Sequence, residues 1–143
     1  MPNSSQTLRT ILEQALLAQA AYANLAGIAF ANEAGLVAAL APASGDRTLT
    51  NRTASHLAAN FGVVHHQPNT STGYSATLFR RRTVSPGDAT GGFAFAIRGT
   101  ELSGDQWNDL WRTDVGQIFL GGNAVSQRLD MQRHWDGMLA NAP

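Results

Sequence analysis

The sequence predicts an α/β fold: helices first, then a partial sheet built around a strand hairpin, then flanking helices. Three observations point there. Phe93, Phe95 and Ile97 alternate with Ala94 and Ala96, so both faces of that segment are apolar, as in a central strand covered on both sides. Just beyond it, Trp107, Leu110, Trp111, Val115 and Ile118 recur at three- and four-residue spacings, which predicts a helix. Near the start, Leu8, Ile11, Leu12, Leu16, Tyr22 and Leu25 form another helical stripe.

Taken in order, the first helix is expected over 7–26, with Asn3, Ser4 and Ser5 as candidate caps and Gly27 as the stop. Residues 29–41 are alanine-rich and suggest a second helix weakened by Gly35. Ala54, Leu57, Ala58 and Phe61 give a third, capped by Thr50 or Asn51 and closed by Gly62. The period then changes, and Gly62–Gln67 reads as a short strand. After the 68–73 loop, Tyr74–Phe79 reads as another. Pro86-Gly87-Asp88 and Gly91-Gly92 join that strand to 93–97 as an antiparallel hairpin, with Arg80, Arg81 and Arg82 at its solvent end. Gly121-Gly122-Asn123 breaks the pattern, and a last helix runs to Leu139.

With 143 residues and no internal repeat or low-complexity linker, residues 1–143 are expected to form a single domain. Ten arginines balance ten acidic residues, and only Arg80-Arg81-Arg82 forms a basic run, so no nucleic-acid partner is expected. The absence of cysteine excludes disulfides and thiolate chemistry; it suits the cytosol and equally suits bacterial proteins exported unfolded. No signal-peptide pattern opens the chain, and no stretch is long enough for a membrane span.

The chemistry concentrates where the apolar strand ends. Gly99 has no Cβ, so a substrate can approach the main chain closely, and Thr100 offers a backbone N–H and a hydroxyl in the same space. A strand, a glycine turn and a helix put both at the carboxyl edge of a sheet, where open α/β folds gather ligands and where paired donors can steady an oxyanion.

Ala96-Ile97-Arg98-Gly99-Thr100 followed by Trp107-Asn108-Asp109-Leu110 resembles the strand end and downstream helix of the class-three lipases. The chain resembles more closely still the bacterial lipases and esterases carried on secreted, calcium-binding repeat proteins. Gln19–Ala23, Asn69–Phe79 and Gly122–Gln127 extend the resemblance over most of its length. The resemblance implies an α/β-hydrolase-like sheet, hydrolysis of lipid-like carboxylic esters, secretion by a carboxyl-terminal signal, and Thr100 as half of an oxyanion hole. No cofactor or metal is implied. The family's nucleophile sits in Gly-x-Ser-x-Gly, and none of the nine serines here has that setting. Gly73-Tyr74-Ser75-Ala76-Thr77 comes nearest but lacks the second glycine. The expectation is therefore the amino-terminal portion of a hydrolase, inactive alone, whose partners are an ester substrate and its own carboxyl-terminal half. The alternative is a non-catalytic binding or docking module derived from one.

Other residues carry competing readings. Arg98 either anchors a carboxylate or reaches solvent. Asp105, Asp109 and Asp114 either bind a cation or favour the helix dipole, with Asp109 pairing with Arg112. His65 and His66, adjacent on a strand, point to opposite faces and do not share a metal. His134 is expected on a solvated helix flank. Ser75, in mid-strand, is not expected to act as a nucleophile. Trp107, Trp111 and Trp135 are expected in the core rather than in a lipid-facing belt.

Overall fold

A computed structural model describes residues 4–42, 49–88, 90–98 and 125–140. The elements are α1 (Ser4–Ala20), α2 (Glu33–Leu40), α3 (Asn51–Asn60), β1 (Phe61–Gln67), β2 (Ala76–Arg81), β3 (Phe93–Ile97) and α4 (Val125–Ala140). Helices thus combine with a three-stranded antiparallel sheet of order β1-β2-β3. The described residues divide into two compact units. One takes its residues from Met1–Pro68 and Ser75–Arg98, the other from Asn69–Tyr74 and Gly99–Pro143. No described helix is long and apolar enough to cross a membrane.

Local chemistry sets most element ends in the first unit. α3 begins where the Thr50 hydroxyl accepts from the Thr53 N–H at 3.2 Å, and α2 where the Asn32 side chain accepts from the Gly35 N–H at 2.9 Å. α1 stops at Ala20, short of Gly27, because the chain turns to bury Leu25, and the Asn24 side chain accepts from the Ala26 N–H at 3.2 Å within that turn. At the other end of the sheet, Arg82 ties the exit of β2 to the last turn of α3. Its N–H donates to the Asn60 carbonyl at 2.8 Å and its Nε–H to the Ala58 carbonyl at 2.7 Å, satisfying acceptors the helix leaves open.

Register assigns the two faces of the sheet. Phe79 lies opposite Val63 on β1 and Ala94 on β3, and Thr77 opposite Ala96. This inner face packs Phe61, Val63, Phe79 and Ala96 against Leu17 and Ala20 of α1, Leu36 and Leu40 of α2, and Leu57 of α3. Arg81 belongs to the same face. It forms an ion pair with the buried Glu13 of α1, and its guanidinium lies 4.6 Å from the Phe61 ring centre. The Arg81 hydrogen bond, outweighing desolvation, holds the Glu13 carboxyl below the ordinary range.

The outer face carries Leu78, Arg80, Phe93, Phe95 and Ile97. Ala76, in the same row, is fully buried, but Phe93 and Ile97 remain 45% and 46% exposed. The apolar segment 93–97 is therefore not a central strand among the described residues. β2 holds that position, and β3 packs its alanines, Ala96 buried and Ala94 half-buried, against the core while turning its bulky side chains outward. Gly62 faces outward too and must be glycine, since a Cβ there would lie 2.6 Å from the Phe30 ring. At the hairpin, Gly92 adopts φ +76°, and a Cβ would stand 2.8 Å from Val84 Cγ2.

Beta-strand β1 contains a bulge at Val64, which has no partner between Val63↔Phe79 and His65↔Leu78. The bulge brings His66, rather than His65, onto the inner face.

Candidate functional site

Gly99 and Thr100 lie outside the described residues, as do Trp107 to Leu110, Asp105, Asp114, Trp111 and Gly121 to Asn123. What is described is the strand that delivers the chain to them. Ladder bonding between β2 and β3 continues past the strand end, where the Arg98 N–H donates to the Ser75 carbonyl at 2.9 Å. The Arg98 side chain is half-buried and its guanidinium carbon lies 5.9 Å from the centre of the Tyr22 ring. A cation over an aromatic face gains from the ring quadrupole. Arg98 thus folds back over its own unit, where sequence reasoning left it either anchoring a carboxylate or reaching solvent.

Three more arginines follow the same habit. Arg80 sits 5.0 Å from the Phe93 ring centre, Arg81 over Phe61, and Arg82 5.1 Å from Phe30. The expected solvent cluster at the hairpin end is instead three guanidinium groups each laid on a different ring. Arg81 is further neutralised by Glu13. Such a triplet does not present a common anion site.

Ser75 precedes β2 and is 2% exposed, and its hydroxyl donates to the Gln67 carbonyl at 2.9 Å. A nucleophile needs access and a base to receive its proton; this hydroxyl is buried and its proton is committed to a carbonyl. His65 is exposed. His66 Nδ1 lies 2.8 Å from Thr77 Oγ1, and burial, with His65 adding, pushes the His66 pKa down. Thr77 has no exposed surface, so its hydroxyl is closed to substrate, and its contact with the half-buried His66 braces β1 against β2. Among the described residues, no three His, Asp or Glu side chains gather to hold a metal ion.

The second unit contains a polar cluster that spacing did not reveal. His134, expected in solvent, is buried at 7% exposure, and its Nδ1 lies 2.9 Å from the Tyr74 hydroxyl. The two rings meet edge-on with centroids 5.9 Å apart. One turn earlier on α4, Asp130 accepts from the Thr72 hydroxyl at 2.8 Å and from Arg133 at 3.2 Å. Thr70 closes the loop on itself, its N–H donating to the Tyr74 carbonyl at 2.8 Å and its hydroxyl standing 2.8 Å from that of Thr72. Loop 69–74 is thereby fastened to α4 at two points, four residues apart on one helical face.

The electrostatics suit a clamp rather than a catalyst. Burial, reinforced by the Asp130 charge, pushes the Tyr74 hydroxyl up to about 12, so the phenol keeps its proton at any ordinary pH. The Thr72 hydroxyl, offset in part by desolvation, holds Asp130 below the usual carboxylate range, with Thr70 and Arg133 assisting. Only the i, i+4 spacing of Asp130 and His134 hinted at a shared face, because their partners lie 58 and 60 positions away. Trp135, expected in the core, is instead 48% exposed beside them in sequence.

Compared with known proteins, the chain matches no family model, no curated protein and no solved structure.

Proposed function

We propose that these residues are the amino-terminal part of an α/β-hydrolase, a secreted serine lipase or esterase acting on lipid-like carboxylic esters, to which Gly99 and Thr100 contribute the oxyanion hole. The observation that carries this reading is the end of the hairpin. Among the described residues the last ladder bond is made by the Arg98 N–H, so sheet pairing reaches at least the residue immediately before Gly99. A glycine following a strand allows a main chain to aim its next N–H groups at a ligand instead of at a neighbouring strand, which is the role proposed for Gly99 and Thr100.

In this reading a serine from outside residues 1–143 attacks the ester carbonyl carbon, and a base from the same outside segment takes its proton. The carbonyl oxygen becomes negative beside the Thr100 N–H. Collapse of the tetrahedral intermediate breaks the bond to the alcohol, which leaves with that proton, and water then hydrolyses the acyl-enzyme. The burial and bonding of Ser75 support an outside nucleophile.

A second reading, a non-catalytic docking module derived from a hydrolase, is favoured by apolar residues left in solvent. Leu8, Ile11 and Leu12 of α1 are exposed, as are Phe93 and Ile97 of β3.

The two separate in one set of assays. The 143-residue chain is expected to leave p-nitrophenyl esters unhydrolysed, and the chain expressed with the coding sequence that follows Pro143 is expected to hydrolyse them. In the longer protein, Thr100→Pro, which removes the backbone donor, lowers kcat roughly 10²- to 10³-fold, while Thr100→Ala retains most activity. Hydrolysis by the short chain that Ser75→Ala abolishes would overturn the proposal. So would a Thr100→Pro variant of undiminished activity. A following sequence without Gly-x-Ser-x-Gly leaves the docking module.

A further inference from the structure

We draw no further inference here: the strongest candidate, the apolar outer face of the sheet formed by Leu78, Phe93, Phe95 and Ile97, has nothing in the structure to show what covers it.

Discussion

The two faces of the sheet both carry large apolar side chains but are covered unequally. On the inner face Phe61, Val63, Phe79 and Ala96 are buried beneath three helices. On the outer face Phe93 and Ile97 keep almost half their surface in water, and Arg80 is spread over Phe93 at 5.0 Å. The larger side chains of β3 lie on the face with less cover, and its alanines on the face with more. Small residues on the inner face let α1 approach closely, so that Leu17 and Ala20 reach the strands. What a face contributes to stability therefore depends on what rests upon it, and not on its composition.

Substitutions turn that contrast into measurements. The largest effect is expected at Phe79, which is fully buried. Phe79→Ala removes a ring from a packed core and should cost about 3–5 kcal/mol in urea or thermal unfolding. A loss below 1 kcal/mol would mean that the inner face is not the core.

Next comes the ion pair at the rim of that face. Glu13→Gln should cost about 2 kcal/mol near neutral pH, since the buried carboxylate that pairs with Arg81 is replaced by a neutral amide, and the charge-assisted bond is reduced to an ordinary one. Because the Glu13 carboxyl is depressed from 4.5, its contribution is present above that value and is lost as pH falls through the lower, folded-state value. Wild type and variant should thus converge in stability in acid. A gap that persists at pH 2 would contradict this assignment.

Outside the sheet, Tyr74→Phe deletes the hydroxyl beside His134 Nδ1 and should cost about 1 kcal/mol. Hydrogen exchange checks it: protection should fall in 69–74 and in α4, with the sheet unchanged. An equal loss across the sheet would show that the hydroxyl is not a local clamp.

The smallest stability effect is expected on the outer face. Ile97→Thr should alter unfolding by no more than about 0.5 kcal/mol, as exposed substitutions usually do. It should nevertheless reduce self-association in light scattering at high concentration, because a bare apolar patch promotes contact between molecules. A loss like that at Phe79 would show that the outer face is as well covered as the inner one.

Much of the fold was legible because the signals are local. Thr50, one of the two candidate caps of α3, and the glycines between β2 and β3 act within a few residues of the structure they set, whereas Gly62, expected to close α3, lies within β1 and answers to the distant Phe30. The hairpin follows from period-two patterning flanked by turn residues. Less legible was anything that depends on a partner far along the chain. The histidine on α4 has the spacing of a solvated flank, and a tyrosine 60 positions away helps to make its burial tolerable. Likewise, three consecutive arginines read as a solvent cluster, until the strands put Phe61 and Phe93 and the loop put Phe30 beneath them. The candidate oxyanion donors Gly99 and Thr100 were readable as a motif at a strand end, and the structure describes that strand as far as Arg98.

By itself the sequence determined which segments become helices and strands, though not their exact ends, that the 76–97 stretch doubles back as a hairpin, and that Ser75 lacks the setting of a nucleophile. Only the tertiary structure decided which side of that hairpin became the core, that β2 stands between β1 and β3, and that His134 is drawn inside. The reason is range. Caps, turns and periodicity act over a few residues and are written in neighbouring letters. Burial and ion pairing depend on groups brought together from distant positions, and residues of the same type can end up on either side of that outcome.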